Sequence, residues 1–335
     1  MIGNISNLST HLQMQRLGAA IKSGIESVGM ELTTGVKSNP EEFYGTNHRQ
    51  LDSIARSLAL SEVRQQNLIV AGHRVSGTSA VVKTFKEITE KFGPHLVSAS
   101  ARGDQTSSTI LAGEAVSLFQ GAVSSLNVRQ GGRTLMSGVS VDQSATISAD
   151  EILDALAVLT SNARDAAEVS AIVRDYFANP ASGYVADAYL GSTTDVADVE
   201  LRPDEFVKIQ LRADNENFRS VLGELAQVAL VARGAFQFPS AQLFQILESA
   251  GNGMIAVNDD LLALAASLGT AEEGIVVAQT GAAAEKTSLE IARNSILSVD
   301  SYEAASKFQA MQSQLQSHYT VIAKLSQLSL TAYLR

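Results

Sequence analysis

The distribution of proline most constrains the fold of this chain. Only five of its 335 residues are proline, and the last of them, Pro239, leaves residues 241–335 without a residue that breaks helices. In the proline-poor stretches apolar residues recur at steps of three and four, which places them on one face of an α-helix. The sequence therefore predicts a mainly α-helical protein built from long helices.

The two ends of the chain carry the clearest amphipathic patterns. From Ile5 to Val36 the pattern predicts a helix of about 45 Å, at 1.5 Å per residue, which stops at Gly35 and Pro40. Near the other end, Asp300 followed by Glu303 predicts a helix N-cap, and a heptad repeat follows it. We expect two coiled-coil arms, 1–40 and 300–335, whose apolar seams carry assembly. The predicted seam residues are Ile5, Leu8, Leu12, Leu17 and Ile21 in the first arm and Phe308, Met311, Leu315, Ile322 and Leu325 in the second, with His318 on the same line.

Both arms lack charged side chains where a solvated helix usually has them. Residues 1–15 and 308–323 contain no Asp, Glu, Lys or Arg, and their polar positions are mostly Ser, Thr, Asn and Gln. Uncharged polar faces suit helices that become buried between identical copies, because desolvating charges is costly. The sequence therefore predicts arms that dock together and then pack against other subunits. Arms that stay disordered until assembly fit the same composition and remain open as an alternative.

The interior of the chain predicts a helical bundle with an inserted domain. Helical spacing covers 47–93 as one helix or two, 106–129, and 240–298 with interruptions at Gly251–Gly253 and Gly269. Between them, period-two alternation in 199–212 and an extended run after Gly132 predict short strands. Flanking helices are predicted over 148–178, capped by Ser148, and over 218–234. We expect a bundle domain of 41–130 and 235–299, and an inserted α+β outer domain of 131–234.

The sequence offers little material for catalysis. It has no cysteine, which excludes disulfides, thiolate zinc sites and cysteine nucleophiles. Its five histidines are scattered without a second ligand at helical spacing, and its neighbouring carboxylates point in different directions on a helix. The segment 251–256 resembles a pyrophosphate-binding turn but lacks a preceding strand. We therefore expect no catalytic, cofactor-binding or metal-binding residues, and no enzyme.

Composition also limits the partners and the compartment. A net charge of −10 argues against a protein that tracks nucleic-acid phosphates. No run of about 18 apolar residues is present, so we expect no membrane span, and the polar N-terminus predicts no cleavable secretory signal.

At both ends the residues resemble the bacterial flagellin family. Glu31-Leu32-Thr33-Thr34-Gly35-Val36-Lys37 is similar to the threonine–glycine–basic turn that follows the family's first helix. The segment 132–138 is similar to the motif that opens the outer domain in the family's hook–filament junction branch, with Thr134 and Met136 in place of aromatic residues. The segment 39–45 also differs from the acidic, alanine-rich run of filament flagellins, which favours the junction branch. The C-terminal resemblance is carried by residues 300–305, Gln312, Leu315, Gln316, Ser317, Tyr319, Ile322, Lys324, Leu325, 328–330, Tyr333 and Leu334.

The resemblance implies a structural subunit of the flagellum that joins hook-associated proteins to the filament. It further implies self-association in a ring or tube, with hook-associated protein 1 and flagellin as neighbours. An export chaperone and secretion through the flagellar type III channel to the hook–filament junction are also implied. The alternatives are a filament-forming flagellin, a nucleotide-binding enzyme that uses 251–256, and an unrelated coiled-coil adaptor.

Overall fold

The computed structural model describes residues 2–38, 48–202, 204–235 and 238–333. Most described residues are helical, so the predicted mainly α-helical fold class is confirmed. The chain divides into two compact units, which we describe separately. The first combines Met1–Val63 with Ala282–Arg335, and the second is Arg64–Gly281.

The first unit consists of long helices from both ends of the chain. Helix α1 spans Ile2–Thr34, and helix α8 spans Ser301–Tyr333. The remaining helical parts are the N-terminal portion of α2 (His48–Arg102) and the C-terminal portion of α7 (Ser240–Leu297). Glu62 and Lys286 form a 3.0 Å ion pair that joins these two portions. The predicted arms are thus helices, whereas the segment 39–45 lies outside the described residues.

The described part of the second unit contains the rest of α2 and α7, a one-turn π-helix at Tyr184–Ala188 and four further α-helices. They are α3 (Gln105–Leu126), α4 (Ala149–Thr160), α5 (Ala166–Ala178) and α6 (Glu216–Ala232). Helix α6 is nearly enclosed, and Phe218 stacks on Phe85 of α2 with ring centroids 4.5 Å apart. The core of the unit therefore lies around α6, whose extent agrees with the predicted helix over 218–234.

Two small antiparallel hairpins complete the second unit. Strand β1 (Arg129–Gln130) pairs with β2 (Arg133–Thr134), and β3 (Val199–Arg202) pairs with β4 (Glu205–Val207). The predicted extended run after Gly132 is shorter than expected. Beyond β4 no strand is assigned up to Arg212, although Ile209 and Leu211 are buried. The period-two pattern over 208–212 therefore reflects side chains that are buried and exposed in turn, and not pairing between strands.

The helix predicted over 148–178 is two helices. The predicted cap is confirmed, because Ser148 and Glu151 form a reciprocal capping box at the start of α4. The break follows Thr160, where Asp165 accepts a 2.9 Å hydrogen bond from the Glu168 amide and starts α5. Short polar side chains compete for backbone hydrogen bonds in this segment, and the Ser161 hydroxyl donates to the Val158 carbonyl at 2.7 Å where the first helix ends.

Proline and glycine do not interrupt the long helices where the sequence predicted. Helix α2 continues through Pro94 to Arg102, and α7 continues through Gly251, Gly253 and Gly269. A proline inside a helix costs about 3 kcal/mol, but the neighbouring Phe92 and Leu96 are almost fully buried and hold the helix in place.

The first two glycines of α7 permit close packing. A Cβ at Gly251 would lie 2.8 Å from the carbonyl oxygen of Gly93, and one at Gly253 would overlap the Glu224 carboxylate. Because the glycines of 251–256 lie inside an α-helix, with no strand before them, the pyrophosphate-turn hypothesis is wrong.

An ion pair between half-exposed Arg174 and buried Glu224 connects α5, α6 and α7. Arg174 donates from Nε and Nη2 to the two oxygens of Glu224, at 3.0 and 3.2 Å, and from Nη2 to Ser249 Oγ at 2.9 Å. The amide of Gln227 donates to Glu224 at 2.7 Å. Burial raises the pKa of the Glu224 carboxyl, and the hydrogen bonds from Arg174 and Gln227 partly oppose that rise.

Two helices, α3 and α7, are long and apolar enough to cross a bilayer by length and composition alone. Core helices of globular proteins meet the same criterion, and both helices contribute side chains to the core of the second unit. Phe119 of α3 and Met254 of α7, for example, have no exposed surface.

Candidate assembly site in the paired terminal helices

The candidate functional site is the seam between α1 and α8 in the first unit. The glycines of α1 meet side chains of α8 in reverse sequence order, so the helices run antiparallel. Spacings of three and four residues separate the side chains that face inward, which is the pattern of a coiled coil. These least exposed positions are Met14, Gly18, Ile21, Ile25, Val28 and Leu32 on α1, and Ala304, Phe308, Met311, Leu315, His318 and Ile322 on α8.

Three glycines of α1 leave space for large side chains of α8. A Cβ at Gly18 would lie 2.9 Å from His318 Nε2 and 3.2 Å from its Cδ2. A Cβ at Gly24 would overlap Met311 Cε. One at Gly29 would stand 3.5 Å from Cε2 of Phe308, an ordinary contact. Two of the glycines therefore allow a closer approach of the helices than alanine would.

These glycines are the main feature that sequence reasoning missed. Each glycine in a helix interior costs about 1 kcal/mol relative to alanine, and in isolation Gly18, Gly24 and Gly29 indicate only a weak helix. Their spacings of six and five residues follow no simple helical repeat. Only the partner helix explains them, because large seam residues of α8 lie opposite.

The base of the helix pair is fixed by backbone hydrogen bonds. Val36 and Ser298 form an antiparallel bridge, in which the Lys37 amide donates to the Leu297 carbonyl and the Val299 amide donates to the Gly35 carbonyl, both at 3.0 Å. The turn needs the left-handed conformation of Gly35, whose φ is +70°.

Side chains on both sides of the bridge reinforce this turn. The Glu31 carboxylate accepts hydrogen bonds from the amide and hydroxyl of Ser38, at 3.0 and 3.1 Å. Asp300 accepts from the Tyr302 amide at 2.8 Å and caps α8, as the sequence predicted. The segment 31–37, which resembles the family turn, thus ties the two arms together where α1 ends and α8 begins.

His318 is the polar residue at the centre of the seam. It is 7% exposed, and its buried Nε2 has no hydrogen-bond partner among the described residues. The prediction that it lies on the seam is confirmed. A buried polar group in a coiled coil disfavours other registers at some cost in stability, and His318 is placed to do this opposite Gly18.

The structure describes the side chains of eight of the ten predicted assembly residues and divides these eight into two groups. Five line the seam between the arms, and Leu12, Leu17 and Leu325 are exposed by 47%, 47% and 43%. The side chains of Ile5 and Leu8 lie outside the described residues. In the first arm the stripe therefore differs from the predicted one, since Met14 and Gly18 face α8 where Leu12 and Leu17 were expected to. The five residues of the seam are Ile21, Phe308, Met311, Leu315 and Ile322.

The outer surface of α8 carries isolated apolar side chains among uncharged polar ones. On α8 the exposed side chains include Tyr319, at 49%, and Val321, at 44%, within the charge-free segment 308–323. Lys22 of α1 lies over the Tyr319 ring, with Nζ 5.8 Å from its centroid. A surface of this kind can be desolvated without burying unpaired charges.

The part of the chain that the structure describes contains no cluster of three or more His, Asp or Glu side chains that could hold a metal ion. The arms instead offer a continuous helical surface. This surface is suited to packing against other protein chains.

One family model matches part of the chain. Residues 255–334 match the family model of the bacterial flagellin C-terminal helical region. The C-terminal segment is flagellin-like. This match covers all of α8 and much of α7, and therefore includes one side of the arm seam. A search of curated proteins finds no match to the chain.

The fold is also similar to a solved structure from Vibrio parahaemolyticus that is described as a flagellar hook-associated protein. The TM-score is 0.51 at 13% sequence identity, and the match covers 74% of this chain and 96% of the other. At this identity the likeness concerns the fold. The flagellin-like C-terminal segment and the shared fold both agree with the resemblance found in the sequence.

Proposed function

We propose that this protein is a structural subunit of the bacterial flagellum that joins hook-associated proteins to the filament. The observation that carries the proposal is the antiparallel pair of α1 and α8, closed by glycine contacts and presenting exposed apolar side chains with few charges. Such a pair buries one face within the chain and leaves a second face to bury against neighbours. The flagellin-like C-terminal segment and the hook-associated fold support the flagellar setting.

In this proposal the arms of successive copies pack into a ring or tube. Leu12, Leu17 and Leu325 contact neighbouring subunits, and the inner seam keeps the arms paired. The bundle, 41–130 with 235–299, forms a second layer, and the outer domain of 131–234 projects outward. Because these leucines are only about half exposed, burying the rest of each side chain contributes roughly half of the value for a full leucine, or about 1 kcal/mol, so a few per subunit help to stabilise an assembly.

The junction branch, hook-associated protein 3, is the specific role that we propose. Its neighbours would be hook-associated protein 1 on the hook side and flagellin on the filament side. Secretion would run through the flagellar type III channel to the hook–filament junction. An export chaperone would bind α8 before export. The support for these details is the sequence resemblance at 31–37, 132–138 and the C-terminus.

A deletion strain tests the function. Cells without the protein should keep their hooks and release filament monomers into the medium, and the wild-type chain should restore filaments. Normal filaments in the deletion strain would contradict the proposal. A Leu315→Asp variant, which places a charge in the arm seam, should fail to restore them.

A filament-forming flagellin is the second candidate, favoured by the family model that matches residues 255–334. Purified protein added to filament fragments separates the two roles. A filament subunit should elongate the fragments continuously, whereas a junction protein should add a short layer and stop.

A further inference from the structure

The buried histidine of the arm seam lies in surroundings that suit only its uncharged form. The Nε2 atom of His318 is buried without a hydrogen-bond partner among the described residues. The ring faces Gly18, which has no side chain that could accept a hydrogen bond. A neutral imidazole carries hydrogen on one ring nitrogen only, so Nε2 can stay without a proton in the paired arms.

Protonation changes this balance, because both nitrogens of a protonated ring are donors and the ring carries a positive charge. The seam positions one turn away are apolar, with Met14 and Ile21 on α1 and Leu315 and Ile322 on α8. Their side chains contain no oxygen that could accept a hydrogen bond from Nε2. A buried charge without a partner is strongly unfavourable, so the paired arms accommodate the neutral ring and disfavour the protonated one.

The charged side chains nearest to this point along both helices are cations. On α1, Arg16 and Lys22 lie two and four residues from Gly18, which the ring faces. On α8, Lys324 lies six residues after His318. A nearby positive charge disfavours a second one, so these cations add to the cost of protonating the ring while the arms are paired.

Carboxylates that could stabilise a protonated ring lie farther along the helices. The first on α1 is Glu26, eight residues from Gly18, which is about 12 Å at 1.5 Å per residue. On α8 it is Glu303, fifteen residues from His318, or about 22 Å on the same measure. Neither reaches the ring to form an ion pair.

Two further titratable groups lie near the ring. The Tyr319 ring has its centroid 6.3 Å from that of His318. His11 of α1 is exposed and shares a 3.3 Å hydrogen bond with Gln15. Tyrosine and histidine carry no negative charge in mild acid, so neither group offsets a charge on the His318 ring.

We propose that His318 is a pH-sensitive switch that keeps the arms paired at neutral pH and opens them in mild acid. The proton binds where the ring reaches water, which is in the open arms, so the open form binds more protons than the paired form. Pairing is therefore most stable at neutral pH and weakens as the pH falls through the range in which histidine titrates. The switch acts within one chain and is independent of the proposed flagellar role.

Linkage gives the size of the expected effect. A histidine that binds a proton only in the open form, with the ordinary pKa of about 6.5, makes the ratio of open to paired arms rise with falling pH. Between about pH 7.5 and about pH 5.5 the ratio should increase about tenfold.

Labelling of a buried thiol measures this opening in the full chain. The protein has no cysteine, so Ile21→Cys introduces a single thiol at a seam position that is 4% exposed. Its reaction rate with dipyridyl disulfide is divided by the rate for Leu17→Cys, an exposed position on α1, which corrects for ionisation of the thiol. The quotient should rise about tenfold from about pH 7.5 to about pH 5.5. A rise of less than about twofold would overturn the inference.

Substitutions of the histidine separate the switch from other effects of pH. In His318→Leu and His318→Gln, each combined with Ile21→Cys, the quotient should stay level over the same range, because neither side chain titrates. His11→Gln removes an exposed histidine from the same arm and should keep the full rise. An undiminished rise in a His318 variant whose arms pair at neutral pH, or its loss in His11→Gln, would overturn the inference. The deletion strain tests the flagellar role separately, so a failed switch leaves that role standing.

Discussion

The glycine contacts in the arm seam predict that replacing Gly18 by alanine does not stabilise the protein, although the same substitution usually stabilises a helix. Replacing a glycine in a helix interior by alanine stabilises the helix by about 1 kcal/mol when the new methyl group has space. At Gly113 of α3 nothing lies within 4 Å of an added Cβ, so Gly113→Ala should show this gain. At Gly18 the methyl group would meet His318 at 2.9 Å.

The cost at Gly18 follows from the burial of its partner. The methyl group contacts the ring edge at two atoms, and the 7% exposure of His318 leaves the ring little room to move. Overpacking of this kind typically costs about 1–3 kcal/mol, so Gly18→Ala should be neutral or destabilising by up to about 2 kcal/mol once the gain in helix propensity is included. The two alanine variants should therefore differ by about 1–3 kcal/mol.

Hydrogen exchange measured by mass spectrometry is the suitable assay, because it reports the protection of the arms separately from that of the other helices. Gly18→Ala should lower or leave unchanged the protection of peptides from 11–34 and 301–325, while Gly113→Ala should raise the protection of α3. Adding His318→Ala to Gly18→Ala should recover part of the loss. An increase in arm protection by Gly18→Ala as large as the gain at Gly113 would refute the packing argument.

Three further predictions concern the second unit. Arg174→Met should lower the free energy of unfolding of this unit by about 3 kcal/mol, because Glu224 is left buried without its charged partner. Arg164→Met removes an exposed i,i+4 pair and should cost less than about 1 kcal/mol. Urea unfolding compares the two variants, and equal losses would contradict the role of burial. Burial raises the pKa of Glu224, so its contribution to stability is full below its unfolded pKa and is lost as pH rises through the folded value. Stability between pH 4 and 7 should therefore fall more steeply in Arg174→Met than in the wild type, and parallel profiles would argue against this carboxyl. Ser148→Ala should cost about 1 kcal/mol of stability, because it removes the N-cap of α4. Hydrogen exchange should become faster only in the first turn of α4, and unchanged exchange there would contradict the capping box.

Local patterns predicted the helices well. The arms, α3, α6 and the caps at Ser148 and Asp300 follow from periodicity and from side chains that act within a few residues. Such signals are sufficient because helix formation and capping are local.

The errors arose where a distant contact decides the local structure. Pro94 and Gly253 each predicted an interruption, yet the helices continue because Phe92 is buried and because Glu224 lies against Gly253. The seam of α1 shows the same limit. Leu12 and Leu17 fit the apolar stripe in sequence, but Gly18 faces the partner helix, and a glycine gives no hydrophobic signal.

The central claim is that the exposed apolar faces of the paired arms bind neighbouring subunits. Leu17→Asp places a charge on an exposed position, so the single chain should fold with unchanged hydrogen exchange in α1 and α8. In the deletion strain this variant should be secreted but should fail to enter the flagellum, whereas Val158→Asp, on the exposed face of α4, should assemble normally. Incorporation of Leu17→Asp at the wild-type level, measured by quantifying the protein in purified flagella, would contradict the account.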